Sequence, residues 1–248
     1  MGIRKGLIYG DTHMVAGQAL HPSYRVMKKF AFATAPWDFI MDLGDTLDID
    51  YFASFNKDAV ECQANGNLSR DYDMMRSELD EWQIQTNNYI MLQGNHDERV
   101  DRFLLKYPAL RDLVAYDEGM GLTKREVTYV PLVDQPYKIG KLYACHGWYS
   151  TVNSAKKHLD MIGGNVVFGH VHKFQSYSQC IPAKNEEIMA WSLGCLCGKL
   201  PKWKKGAPTG WQNGFAVVYM DSKTGKFNLY PIQIIDGEFT WEGTRWRI

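Results

Sequence analysis

The sequence predicts an α/β fold built on a largely parallel or mixed sheet. Short apolar runs alternate with longer amphipathic stretches along the chain, which is the pattern of strands separated by helices. No internal repeat or low-complexity linker breaks that alternation. The 248 residues, 45% of them hydrophobic, suffice for one large core. A single domain over 1–248 is therefore expected, with a helical insertion at about 50–88.

The first strand is placed near Leu7–Tyr9. A helix follows from Pro22, with proline in the first turn, to about Ala35. A second strand is expected near Asp38–Leu43. Within the long polar segment after it, Ser69 has the chemistry of a helix N-cap. Tyr72, Met75, Leu79, Trp82 and Thr86 then recur every three or four residues, marking one apolar helix face. That face is read as packing against the body, with a dimer contact as the alternative. A third strand is expected near Tyr89–Leu92, then a helix over about Glu98–Lys106 that stops before Pro108. Residues 109–136 carry no clear pattern. Strands are expected near Lys141–Cys145 and Asn165–Phe168, with Asn153 capping a helix between them that ends at Gly163-Gly164. Three more follow near Glu187–Leu193, Phe215–Met220 and Lys226–Ile234, the last two joined by a turn over Asp221–Gly225.

Bulk properties remove several function classes. The formal net charge is zero, which lends no support to a protein that coats nucleic acid, although a local basic groove stays open. The apolar run Leu7–Tyr9 is too short for a signal-peptide core, and no stretch approaches the roughly 20 apolar residues of a membrane span. Lys5-Gly6 stand where a myristoylation signal wants serine or threonine. Five scattered cysteines without a secretion signal favour reduced thiols. The expectation is a cytoplasmic protein without a membrane partner.

Chemistry concentrates in the loops after the strands. Asp11 and His13 follow the first strand, Asp45 and Asp48 the second, and Asn95, His96 and Asp97 the third. His146 follows the strand ending at Cys145, and His170 and His172 follow the one ending at Phe168. Five of the seven histidines fall in these loops, whereas His21 and His158 lie on predicted helices. Strand carboxyl ends line the ligand crevice of α/β sheets, so residues distant in sequence converge there. Carboxylate, imidazole and amide donors without cysteine suit manganese, iron or zinc better than calcium.

The segments GDTH (Gly10–His13), GDTLD (Gly44–Asp48), GNHDE (Gly94–Glu98), CHG (Cys145–Gly147) and GHVH (Gly169–His172) resemble, in order, the five motifs of calcineurin-like metallophosphoesterases. The resemblance implies a two-sheet β-sandwich core flanked by helices, with a dinuclear metal site at strand C-terminal ends. It implies that Asp11, His13 and His172 hold one metal and Asn95, His146 and His170 the other, with Asp45 bridging. It further implies that His96 faces the substrate phosphate, oriented by Asp97, and that phosphoester bonds are hydrolysed through a metal-activated water. The two divalent ions are expected to be manganese first, with iron, zinc, nickel or magnesium as the others.

The motif wording narrows the branch. Protein Ser/Thr phosphatases usually carry Arg-Gly after the second motif and GNHE in the third; here Ile49-Asp50 follow Asp48, and Asp97 follows His96. The forms resemble nuclease and nucleotide phosphodiesterase branches, and small phage-encoded members, which would act in host cytoplasm. The expected substrate is accordingly nucleic acid or a nucleotide, with a broad phosphomonoesterase or a catalytically silent metal-binding module as alternatives. Asp48, Arg99 and the basic loop KLPKWKK, with Lys199, Lys202 and Trp203, are candidate substrate contacts. Arg102 lies on the same helix as Arg99. Cys195 and Cys197 form a C-x-C pair with no second cysteine or histidine pair nearby in sequence, so they are read as small buried residues.

Overall fold

The computed structural model describes residues 2–198 and 208–248. Strands β1 (Ile3–Tyr9), β2 (Phe39–Asp42), β3 (Tyr89–Leu92) and β4 (Thr128–Val130) pair in parallel in that order. Strands β5 (Tyr137–Ile139), β6 (Leu142–Cys145), β7 (Asn165–Phe168), β8 (Phe174–Ile181) and β9 (Glu186–Leu193) form a second sheet in the order β5-β6-β7-β9-β8. The chain then returns to the first sheet, where β10 (Asn213–Asp221) and β11 (Phe227–Ile234) add antiparallel strands beside β1. A hairpin of β12 (Glu238–Trp241) and β13 (Thr244–Arg247) ends the chain.

The helices are α1 (Pro22–Ala33), α2 (Val60–Asn65), α3 (Leu68–Gln83), α4 (Glu98–Lys106), α5 (Arg111–Val114), α6 (Tyr116–Met120) and α7 (Ser154–Ile162). Among the described residues no helix is long and apolar enough to cross a membrane.

Period-two alternation sorts the strand residues into layers. Ile8, Phe39, Met41, Ile90 and Leu92 of the first sheet pack with Leu142, Ala144, Val167, Trp191 and Leu193 of the second, so the two sheets face each other as a sandwich. Their neighbours Leu7, Tyr9, Ile40 and Met91 point the other way, under Tyr24, Met27 and Phe30 of α1 and Met75, Leu79 and Trp82 of α3. On the far side, Val166 and Phe168 of β7 pack beneath Ala155 and Leu159 of α7. Central strands covered on both faces must be apolar throughout, which is why β2 and β3 read as unbroken hydrophobic runs.

The apolar stripe of α3 is therefore consumed inside the chain rather than offered to a partner. Its cap differs from expectation: the side chain of Asn67 accepts from Arg70 N at 3.1 Å, and Ser69 lies in the first turn. Thr86 is buried beyond the end of the helix. Strands β4, β5, β8, β12 and β13 escape the sequence pattern. The first two span three residues each, and β8 is an edge strand with mostly exposed polar side chains, so neither periodicity nor hydrophobicity marks them.

Candidate metal centre

The C-terminal ends of β1, β2, β3, β6 and β7 meet at one edge of the sandwich, and the loops leaving them are tied together by backbone hydrogen bonds. Asp11 N donates to Gly44 O at 2.9 Å, His13 N to Asp45 O at 3.0 Å and Gly169 N to His146 O at 2.9 Å. Gly44 has φ 97°, and a Cβ there would stand 2.5 Å from Gly94 N. A Cβ on Gly94 would collide with Asp45 in turn. Backbone lies against backbone at this crossing, and only glycine permits that approach.

Five of the seven predicted ligands depart from ordinary backbone geometry. Asp11, His13, Asp45, His170 and His172 have φ of 52°, 45°, 52°, 67° and 57°. Left-handed conformations are uncommon for non-glycine residues and cluster where a site is held in a required geometry. Each turn aims its side chain back into the crevice.

The side chains form two groups of converging donor atoms. In the first, His172 Nε2 lies 3.1 Å from Asp11 Oδ1 and 3.2 Å from His13 Nε2, which is 3.8 Å from Asp45 Oδ2. In the second, His146 Nε2 lies 3.3 Å from Asp45 Oδ2 and 3.0 Å from Asn95 Oδ1, with His170 Nδ1 2.8 Å from the same amide oxygen. Asp45 Oδ2 faces both groups. Asp11, Asp45, His146 and His172 are at most 5% exposed.

This donor set fits two divalent ions. The His13 and His172 nitrogens face each other across 3.2 Å, an arrangement that demands either a proton or a cation between lone pairs. His13 also presents Nδ1 to Asp48 Oδ1 at 3.3 Å, leaving Nε2 for the crevice, which is how carboxylates orient metal-binding imidazoles.

Protonation shows the same frustration. Burial disfavours charge on His146 and His172, but Asp45 lifts His146 to about 9 and Asp11 lifts His172 to about 10. Burial and the charge on His146 instead push His170 down to about 4. Burial also opposes ionisation of Asp45, yet His146 and His96 hold its carboxyl well below the usual range. The carboxylates Asp45 and Asp11 thus favour protons on His146 and His172 unless a cation takes their place. Their pKa values are raised by folding, so the stability they contribute is full below about pH 6.5. It is lost as pH rises through about 9 to 10. Divalent ions must displace these protons. Calorimetric titration in buffers of different ionisation heat is expected to show proton release, with affinity rising from pH 6 to 9. Equal heats in all buffers would contradict it.

The profile described as calcineurin-like phosphoesterase matches residues 5–168. The chain belongs to the calcineurin-like phosphoesterase family. It is 29% identical over 168 residues to the Gene 54 protein of Mycobacterium phage L5, a match covering 63% of this chain and 65% of that protein. The Gene 54 protein of Mycobacterium phage D29 is 27% identical over 173 residues, with the same coverage. The match therefore spans slightly under two thirds of the length of these curated relatives. The crystal structure of Pseudomonas putida nuclease MPE aligns at 13% identity with a TM-score of 0.34, covering 75% of this chain and 73% of that one.

Beside the calcineurin-like centre, His96 is held by neighbours other than those expected. Its Nδ1 lies 2.9 Å from Asp48 O and 3.3 Å from Asp48 Oδ1. Its Nε2 lies 3.0 Å from Arg99 Nη2 and 4.0 Å from Asp45 Oδ2. Burial opposes charge on this ring, but Asp45 and Asp48 raise its pKa above the ordinary histidine value. Arg99 donates to Asp48 O at 2.9 Å and to Asp50 Oδ1 at 2.7 Å. Arg102 instead pairs with Glu98 on the exposed helix surface. Lys199, Lys202 and Trp203 lie outside the described residues.

Asp97 corrects the expectation that it orients His96. Its carboxylate is fully buried and accepts from Asp45 N and Gly94 N, both at 2.9 Å, and from Tyr116 Oη at 2.6 Å. Leu47 N approaches at 3.4 Å. None of its hydrogen bonds among the described residues reaches His96. Asp97 clasps the loops that carry Asp45 and Asn95, while Asp48 orients the imidazole. Asp97→Ala would leave these buried donors unpaired, and a loss of about 3 kcal/mol is expected in chemical denaturation. A change below about 0.5 kcal/mol would contradict the clasp.

Sequence reasoning also missed Gln135, whose Oε1 accepts from His146 N at 2.7 Å while its Nε2 donates to Gln93 O at 2.8 Å. Trp211 was missed too, with its ring centroid 4.1 Å from that of His172. Neither belongs to a motif. Both arrive from segments whose proximity only the fold creates.

Proposed function

We propose that the chain is a two-metal phosphoesterase that hydrolyses phosphodiesters of nucleic acid or nucleotides. The observation that carries this reading is the paired donor cluster sharing Asp45 Oδ2, with His96 Nε2 4.0 Å from that shared oxygen. Asp11, His13 and His172 would hold one ion and Asn95, His146 and His170 the other. When bound, two such ions clamp a phosphoryl group and activate water for in-line attack.

The chain's own residues supply the rest. The Asp48 carbonyl holds His96 through Nδ1, so Nε2 is the nitrogen turned to the crevice. While Arg99 Nη2 donates to it, Nε2 is an acceptor; once Arg99 turns to the phosphate, a protonated Nε2 is free to donate to the departing oxygen, the task of a histidine braced by a neighbouring acceptor. Arg99, anchored through Nη1, keeps Nη2 beside His96 and presents it to a phosphate oxygen.

A hollow near the loop carrying His170 and His172 supports the diester reading. A trough of about 230 Å³ opens beside the His146 and His170 loops, lined by Ser150, Thr151, Val152, Val171, Lys173 and Gln175. It shares Val152 and Gln175 with a second hollow that includes Lys156 and Tyr177. The lysines on these two hollows, Lys173 and Lys156, offer cations to a second ester arm.

The test is a panel of bis-p-nitrophenyl phosphate, cyclic nucleotides, single-stranded DNA and RNA, and p-nitrophenyl phosphate, run with manganese, nickel, zinc and magnesium. Diester cleavage is expected. Hydrolysis of the monoester alone would overturn the diester reading.

A further inference from the structure

The buried cysteines of the C-x-C pair lie against the first group of donors. The segment after β9 crosses the Asp11 loop, where Leu196 N donates to Asp11 O at 3.0 Å. Cys195 N donates to Gln212 O at 2.9 Å, and Asn213 Nδ2 donates to Cys197 O at 2.9 Å and to Cys195 O at 3.2 Å. These bonds fix the direction of both side chains. Leu196 joins the buried core cluster that includes the residues of α1.

The consequence is a further histidine-containing group, one of four among the described residues. Cys197 Sγ and one ring nitrogen each of His13 and His172 lie within 4.8 Å of one another. Ligands around one zinc ion sit about 2.0–2.3 Å from it and hence about 3.5 Å apart. The three donors are close enough to share an ion after small side-chain adjustment. Cys145 shows the contrast, since it packs beneath α7 among apolar residues. His172 supplies a second observation. It is 5% exposed, and its Nδ1 meets no nitrogen or oxygen partner among the described residues; the polar group that interacts with the ring is the Cys195 sulfur. No oxygen acceptor fixes the ring, whose sulfur neighbour Cys195 is a different thiol from Cys197, so the ring is free to settle on a cation that Cys197 also reaches.

We propose that Cys197 supplies a thiolate to the metal position built by Asp11, His13 and His172, making it a nitrogen–sulfur–oxygen site for a soft or borderline divalent ion such as zinc. The proposal rests on the two-metal reading above. The position built by Asn95, His146 and His170 has no sulfur among the described residues, so the two positions differ in softness. The first retains zinc against excess manganese, and the second exchanges. On coordination the thiol gives its proton to solvent.

The test is cobalt titration of the metal-stripped chain under reducing conditions. The expected result is a near-ultraviolet sulfur-to-cobalt charge-transfer band that saturates at one equivalent. The band disappears in Cys197→Ser and persists in Cys195→Ser. Two bound cobalt ions, seen by their visible ligand-field bands, without the charge-transfer band would overturn the proposal and leave the two-metal reading standing. Loss of the band in Cys195→Ser with retention in Cys197→Ser would also overturn it. Absence of both kinds of band would remove the two-metal reading and this proposal together. Should Cys197→Ser not fold, cadmium NMR of the unsubstituted chain decides. One resonance in the thiolate region supports the proposal, and two in the nitrogen–oxygen region refute it.

Discussion

Asp45→Ala is expected to abolish phosphoester hydrolysis and to remove both metals together. The reason lies in one atom. Asp45 Oδ2 is 3.8 Å from His13 Nε2 on one side and 3.3 Å from His146 Nε2 on the other, so it belongs to both donor groups. No other carboxylate lies in the second group, whose remaining members are neutral amide and imidazole. Without Asp45 the second position loses its only negative charge, and two cations at about 3.5–4 Å lose the anion that screens their repulsion. Elemental analysis after gel filtration should find less than one ion per chain, against two in the unsubstituted protein. Two retained ions with normal turnover would show that another residue bridges. The backbone of Asp45 stays clasped by Asp97, so circular dichroism should remain near normal.

His96→Ala should separate chemistry from metal binding. The ring meets Asp48 and Arg99 and stands 4.0 Å from Asp45; its converging donors are His13 and Asp48, and it belongs to neither group that shares Asp45. Both ions should stay bound while kcat falls by about 10²–10⁴-fold, the usual share of a general acid. The loss should depend on the leaving group. p-Nitrophenolate departs without a proton, so bis-p-nitrophenyl phosphate should suffer least and a dinucleotide most. Equal losses on both substrates would indicate electrostatic stabilisation instead of proton donation. Asp48→Asn offers a graded comparison. It keeps the backbone carbonyl that accepts from His96 and removes the carboxylate charge that His96 shares with His13, so a smaller loss is expected, with metal content measured alongside.

The strands that build the centre were legible for a simple reason. β2 and β3 are covered on both faces and therefore uniformly apolar, and the polar residues that follow them are abrupt by contrast. A residue immediately after such a strand has its position nearly determined, because it must emerge at the carboxyl edge. Helix α1 was legible through its first-turn proline, α3 through its apolar face, α4 through the proline that follows it and α7 through its glycine stop, whereas the expected side-chain caps Ser69 and Asn153 do not form. The sequence could not show β8, whose side chains are mostly exposed, or the three-residue strands β4 and β5.

Individual partnerships were less accessible. Asp97 sits beside His96 in sequence, yet helix α4 begins directly after it and turns the two side chains apart. One goes to the buried loop amides and the other to the crevice. Asp48, forty-eight positions upstream, takes the orienting place because the β2 loop folds over it. Cys197 looked isolated because the histidines near it are 25 and 184 residues away along the chain.

The sequence by itself determined which donors reach the centre and in what order, since each lies within a few residues of a strand end and local geometry carries it there. The tertiary structure decided which donors converge, which carboxylate lies against His96, and that a thiol stands within reach of His13 and His172. Those are distances between separate loops, set by how two sheets pack and by backbone contacts such as that of Gly44 against Gly94. No run of neighbouring residues encodes them.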